Sequence, residues 1–455
     1  MPEIPLGTSS HKRRTTWNPE VRVVNMLVEQ TTTNQYDGVD HIQRPGMERF
    51  IELGPFPVQG VFRQAGTING DFLMAQGAEL YRVDEASASS TYIGNFAGSG
   101  RFTAAATASR VVMVTDGDAY RTDGTTMVGI TMPDGRSAGS VAQLNGYFVI
   151  PEEGSARFYW IEPGQDNPDG LSFATTESSP GNILKVERVG DELWFFKEEG
   201  LEVWTPTGDA DLPFQRTPGR NYDKGARSKD SICRFDNSVA WVGNDDIVYR
   251  GDNTPVRIST NSVEEQIRKS SDYRAWSYAM DGHTVYCLTL TDGTWVYDVS
   301  SQQWSQYKSY GLPFWRAHVG DAGERFVLCG DSQEGIVYLL NPELNTDDGE
   351  PMERIVMGGL PVPKGTVPCT SLCLYATAGT APDPEEYPTV RISWSDDLET
   401  FGDWEDVSMG RQGQYGKAIR LNRLGAMNYP GRLWKFEATG DFSFTVHAAT
   451  YNEPM

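Results

Sequence analysis

One pattern of apolar and polar positions recurs along this chain: a short apolar strand, a polar turn of Gly, Asp, Glu or Asn, then a second strand closing on an aromatic residue. It reads DFLMAQGAELYR at Asp71–Arg82, VVMVTDGDAYR at Val111–Arg121, YFVIPEEGSARFYW at Tyr147–Trp160 and LWFFKEEGLEVW at Leu193–Trp204. It returns as VAWVGNDDIVYR at Val239–Arg250, VYCLTLTDGTWVYD at Val285–Asp298 and RFVLCGDSQEGIVYLL at Arg325–Leu340. Gly, Asn and Asp tolerate the positive φ of tight turns, and β-branched and aromatic residues suit pleated strands, so each repeat predicts a β-hairpin. The closing aromatics are Tyr81, Tyr120, Tyr159, Trp204, Tyr249, Tyr297 and Tyr338, separated by 39, 39, 45, 45, 48 and 41 residues. A spacing near ~43 residues is that of a propeller blade of four short strands. Unrelated hairpins in a large sandwich would not keep an even period. The expected fold is all-β: a β-propeller of six or seven blades.

The flanks differ from the repeats. VRVVNMLVE (Val21–Glu29) reads as a strand that closes the propeller or pairs elsewhere, and TTTNQYDGVD after it as loop. NSVEEQIRK (Asn261–Lys269) is the one helix signal before residue 350, with Asn261 or Ser262 as cap and Glu264 and Glu265 in the first turn, where the helix dipole favours acids. Residues 341–370 are rich in Pro, Gly and acid and mark a boundary. Beyond them, TVRISWS (Thr389–Ser395), GKAIRLNRL (Gly416–Leu424), GRLWKFEAT (Gly431–Thr439) and FSFTVHAATY (Phe442–Tyr451) predict a small antiparallel sandwich or barrel. The expected organisation is an N-terminal arm and closing strand over 1–50, the propeller over 51–345 and a C-terminal β-domain over 346–455.

Composition narrows the function. With 39 Lys+Arg against 62 Asp+Glu the net charge is −23, of which residues 351–455 contribute only 13 acidic against 9 basic side chains. So acidic a chain gains little from counterion release, which disfavours gripping nucleic acid or lying on an anionic membrane. No apolar stretch is long enough for a membrane-spanning helix, and MPEIPLGTSSHKRR has its basic run in the wrong place for a signal peptide. Five cysteines (Cys233, Cys287, Cys329, Cys369, Cys373) are too few for a disulfide framework and point to a reducing compartment.

Candidate chemistry is sparse. The acid pairs Glu152/Glu153, Glu198/Glu199, Asp245/Asp246 and Asp396/Asp397 fall mostly at hairpin tips, where a solvated turn is the plain reading. A glycosidase would need two carboxylates held across one cleft. SWSDDLETFGDW (Ser393–Trp404) resembles the Asp-box hairpin of sialidase-type propellers but carries Glu399 where Gly is expected. No Gly-x-Ser-x-Gly elbow follows a strand, Cys369 and Cys373 lack a partner pair, and the five His show no metal-ligand spacing. AGSGR (Ala97–Arg101) lacks the Gly-Lys-Ser/Thr of a phosphate loop and reads as a turn, and HKRR (His11–Arg14) is the one basic cluster. No catalytic residue, metal or cofactor is expected. A propeller polysaccharide hydrolase or lyase, or a glycan-binding module, is the alternative reading.

VNMLVE (Val24–Glu29), RPGMERF (Arg44–Phe50), VQGVFR (Val58–Arg63), AELYRVD (Ala78–Asp84) and IGNFAGSGRFTAAAT (Ile93–Thr107) together resemble the packaged-DNA stabilisation proteins, the tail hub or nozzle of short-tailed bacteriophages. DGDAYRTDGTT (Asp116–Thr126) and RLGAMNYPGRLWKFEATG (Arg423–Gly440) fit the same resemblance. It implies a structural virion protein of the tail, made in the host cytoplasm. Six copies would form a ring below the portal and adaptor, extend the DNA channel, help retain packaged DNA and carry fibres or spikes. Partners implied are other copies of the chain, the adaptor, a tail fibre or tailspike, a tail needle or plug, and passing double-stranded DNA without sequence-specific contact. Arg44, Pro45, Gly46, Gly98, Ser99, Gly100 and Arg101 are carried over as structural motif positions. The net charge suggests an acidic ring lumen that repels phosphates and lets the duplex leave quickly.

Overall fold

The structure, a computed structural model, describes residues 3–11, 20–30 and 38–453. Lys12–Arg14 of the basic cluster and residues 31–37 of the expected loop lie outside the described residues. Each of the seven hairpins forms where the pattern places it, and each is the middle strand pair of a four-stranded antiparallel unit. These units span residues 58–95, 103–130, 142–175, 183–222, 233–257 and 273–307; the seventh takes three strands from 317–341 and its fourth, Gly46–Gly54, from the N-terminal side. We number them as sheets one to seven. Asp116–Gly117 turns the second hairpin, and Asn145–Gly146 joins the first two strands of the third sheet, each with both residues at positive φ, the backbone that matches the right-handed twist of the flanking strands.

The sheets stand in a closed circle because each buries both faces. Seven apolar clusters fill the seven gaps, including the one between the seventh sheet and the first, where Leu328 and Val337 meet Val58, Phe72 and Met74. Between the third and fourth sheets Phe158 packs on Phe195 with ring centroids 4.5 Å apart and on Trp204 at 5.1 Å. Between the sixth and seventh, Trp276 stacks on Trp315 at 5.6 Å. Large side chains buried in this way contribute about 1.5–3 kcal/mol each, so the period in the sequence is a period of core residues. The helix Asn261–Lys269 buries Val263 and Ile267 between the fifth and sixth sheets. Its cap position is Thr260 rather than Asn261 or Ser262, and Glu264 reaches back to accept from Ser259 Oγ at 2.8 Å.

Closure of the circle rests on the antiparallel pairing of Gly46–Gly54 with Gly335–Asn341. Here backbones meet without side chains between them: a β-carbon on Gly335 would overlap the Gly54 carbonyl oxygen. Gly335→Ala is expected to destabilise by about 1–3 kcal/mol, read as a lower thermal midpoint, because backbone rather than a flexible side chain would have to move. An unchanged midpoint would mean the two strands are not held this close.

The run Val21–Glu29 does not close the circle. It breaks at Asn25, whose φ is +53°, and serves two sheets. Val23–Val24 pairs in parallel with Gln303–Tyr307 of the sixth sheet and antiparallel with Glu353–Pro361, continuing that sheet into Gly431–Thr439, Thr389–Ser395 and Glu405–Ser408. Met26–Gln30 begins a second sheet with Val39–Gln43, Val446–Tyr451, Ser371–Ala376 and Ile419–Asn422. Val356, Ile392, Trp434 and Phe436 of the one share a core with Met26, Leu372 and Val446 of the other. N-terminal strands therefore join the circle of sheets to the C-terminal strands by main-chain hydrogen bonds.

Candidate functional site

The first strand of every one of the seven sheets faces a central cavity of about 860 Å³. Side chains alternate along these strands, so one set enters the cores between sheets and the other points to the cavity. Among the described residues the cavity is lined by seven basic and four acidic side chains, the opposite balance to the whole chain at −23. The four acids are committed. Asp230 pairs with Arg101 at 2.9 Å, Glu187 with Lys185 at 3.1 Å and Asp236 with Arg250 at 2.5 Å. Asp321 accepts from the backbone N–H groups of Arg63 and Ala322, both at 2.8 Å, and burial pushes its carboxyl up to about 6.

Three of the cations have no carboxylate partner among the described residues: Lys229, Arg234 and Arg274. Arg274 is 5 % exposed. It donates to the Gln59 carbonyl oxygen at 3.0 Å and to Gln59 Oε1 at 2.9 Å, while its Nε is buried without a hydrogen-bond partner. Burial, then the nearby Arg101 charge, lower its guanidinium to about 10 against the opposing pull of Asp230 and Asp272, which still leaves it charged at neutral pH. His318, whose Nε2 lies 2.7 Å from the Val58 carbonyl oxygen, is held down at about 3 by burial and by Arg274.

The structure places AGSGR at the connection between the first and second sheets, beside the cavity. A β-carbon on Gly98 would overlap the Asp116 carboxylate, which accepts from Ser99 N at 2.6 Å. Gly100, with φ +74°, lies against the Gly77 carbonyl oxygen so closely that no side chain fits. Two hairpin tips thus clamp this turn and aim Arg101 at Asp230, which precedes the fifth sheet, and at Asp272, 3.5 Å away before the sixth. Since those sheets stand opposite the first and second, the ion pair crosses the cavity.

Arg44, Pro45 and Gly46 sit elsewhere, at the joint between the circle and the C-terminal strands. Arg44 is fully buried, makes a bidentate pair with Asp347 at 2.9 and 2.6 Å and donates to Asn25 Oδ1 at 2.9 Å. Its guanidinium lies 5.0 Å from the Trp315 ring centroid. Gly46 packs against the Thr346 and Leu344 backbone, leaving no space for a β-carbon.

The acid pairs do not converge. Glu152 pairs with Arg136, Asp245 with Lys224 at 3.1 Å, Asp246 with Arg227, and Asp396 accepts from Nε and Nη2 of Arg432. Glu198 accepts from Asn182 N at 3.0 Å. Asp397 accepts from Glu399 N and Thr400 N at 2.8 and 2.7 Å, bonds that hold its carboxyl far below the usual range, so SWSDDLETFGDW is a self-bonded turn. Sequence reasoning passed over Arg274, Arg234, Lys229 and Asp230, which share no motif and meet only when the circle closes. The signal that could have found them is the charge in the segments leading into the fifth and sixth hairpins, KDSICR (Lys229–Arg234) and Arg274.

A family model described as bacteriophage P22 Gp10, beta-propeller, matches residues 3–345. No curated protein matches the chain. Among solved structures, YCF48 from Cyanidioschyzon merolae is similar at 12 % identity and TM-score 0.44, covering 66 % of this chain and 99 % of its own. The computationally designed Ika8 protein is similar at 13 % identity and TM-score 0.40, covering 70 % of this chain and 99 % of its own. The extracellular domain of a putative one component system, BT4673 from B. thetaiotaomicron, is similar at 10 % identity and TM-score 0.46, with 88 % of this chain and 58 % of its own covered.

Proposed function

Because this chain belongs to the bacteriophage P22 Gp10 β-propeller family of phage stabilisation proteins, we propose that it is the tail nozzle of a short-tailed phage. Six copies form a ring below the portal and adaptor, extend the DNA channel, help retain packaged DNA, and carry fibres or spikes, with a needle or plug at the distal end. The single observation carrying this reading is the family match over residues 3–345. We count one blade per four-stranded sheet, seven in all, with the N-terminal and C-terminal strands together as a sandwich at the propeller's side. In that division the segment expected as an N-terminal arm and closing strand gives strands to both bodies.

A closed circle of sheets suits a part that must stay rigid while partners attach to the loops on either face. The cavity inside it is not the DNA path in this proposal. The Arg101–Asp230 pair crosses it, and its charge is the reverse of what an unbound duplex needs. The acidic excess therefore lies on the outer surface, where six copies around an axis would present it to passing DNA. The polysaccharide-cleaving alternative asks for two free carboxylates across a cleft, whereas the cavity's four acids are engaged by cations or backbone.

The reading is tested by imaging purified tails. Six copies around the channel below the adaptor are expected, with subunit interfaces above ~2,000 Å². A chain found outside the channel wall, or as a monomer without ring contacts, would overturn it.

A further inference from the structure

We propose that the central cavity of the propeller is a binding site for a phosphoryl-class oxyanion, recognised by Arg274, Lys229 and Arg234 of its lining. This inference does not depend on the tail-nozzle reading. Three observations carry it. First, the cavity collects seven basic side chains against four acidic ones in a chain whose balance is otherwise strongly acidic. Second, three of the four acids are taken by ion pairs and Asp321 by backbone N–H groups, so none is in ion-pair contact with Arg274, Lys229 or Arg234. Third, Arg274 is buried to 95 % with no carboxylate in ion-pair contact, Asp230 and Asp272 acting on it only at longer range, and its Nε, like Thr103 Oγ1 of the lining, is buried without a hydrogen-bond partner.

A buried charge without a counter-charge is costly, and proteins that retain one supply an opposite charge or a ligand. Arginine favours a planar or tetrahedral oxyanion, because its fixed fork of N–H donors matches two oxygens at once. The volume falls in the range of small-molecule sites, which fits a free phosphate or the phosphate chain of a nucleotide. A DNA duplex does not enter, since the Arg101–Asp230 pair spans the space. Asp230 and Asp272 hold Arg101 by ion pairs, while each terminal nitrogen of Arg274 spends one N–H on Gln59 and keeps a second for the anion.

The test is calorimetric titration of the full chain with inorganic phosphate at constant ionic strength set by chloride, with ATP as the second arm. Saturable phosphate binding is expected. It should weaken by about tenfold or more in the double variant Lys229→Glu/Arg234→Glu, which leaves the buried network intact. Arg274→Gln should abolish it; should that variant unfold, the double variant alone decides. Competition between ATP and phosphate would assign the anion to a nucleotide, and binding of phosphate alone would assign it to the free ion. Absence of saturable binding in both arms, or binding unaltered in the double variant, would overturn the proposal.

Discussion

Arg44→Ala is expected to lower the stability of the chain by about 3–5 kcal/mol, because it strands the Asp347 carboxylate in a site where neither partner is exposed by more than 5 %. Burial works against the Arg44 charge, and Asp347 outweighs that cost, holding the guanidinium above its ordinary value. The loss extends beyond the pair. Arg44 also donates to the carbonyl oxygens of Pro45 at 2.9 Å and Lys308 at 3.3 Å, and Asn25 Oδ1 loses one of its donors. Lys308 follows the sixth sheet, Asp347 lies on the short strand Thr346–Asp347 that pairs with Gly46–Gly54 at the edge of the seventh, and Asn25 sits between the two N-terminal strands, so one side chain ties three segments together. Urea unfolding followed by tryptophan fluorescence measures the effect. The double variant Arg44→Met/Asp347→Leu should recover part of the loss, since it leaves no unpaired buried charge. An Arg44→Ala midpoint within about 0.5 kcal/mol of the parent would show that this joint is not closed.

Acid should unfold the chain partly through His318. Its folded-state value of about 3 lies below the ordinary 6.5, so between those limits the unfolded chain binds more protons and stability rises with pH. The contribution is fully present above pH ~6.5 and is lost as the pH falls toward 3. At pH 4.5 the deficit amounts to about 2–3 kcal/mol, and it grows to roughly 4–5 kcal/mol below the folded value. His318→Gln keeps a donor for the Val58 carbonyl oxygen but cannot titrate. Its stability should therefore fall less steeply than the parent's from pH 7 to 4.5. Asp321, three residues along the same strand, runs the other way: its raised value favours the folded state below pH ~4 and loses that advantage by about pH 6. Comparing parent and variant cancels that contribution, and identical pH slopes would rule out His318 as the sensor.

The repeat was legible because each hairpin carries its own instructions. Turns of Gly, Asp, Glu and Asn, apolar strands and a closing aromatic all act within about a dozen residues, and packing of one hairpin on the next needs only that the spacing be regular. The helix Asn261–Lys269 was legible for the same reason, while its cap moved by one residue because Thr260 and not Asn261 leaves the helical backbone. The role of Val21–Glu29 was not legible. Its apolar pattern states that it is buried, and nothing local states against what; the turn at Asn25 and pairing with residues about 280 and 330 positions later decided that.

Local chemistry, then, dictated where strands, turns and cores would lie, and with the family match it identified a phage propeller. Closure of the circle alone brought Arg101 to Asp230, set Arg274 against Gln59, and joined Arg44 to Asp347, more than 300 residues away. Electrostatic partnership depends on distance in space, and in a ring sealed by its two ends the closest charges are among the farthest apart along the chain.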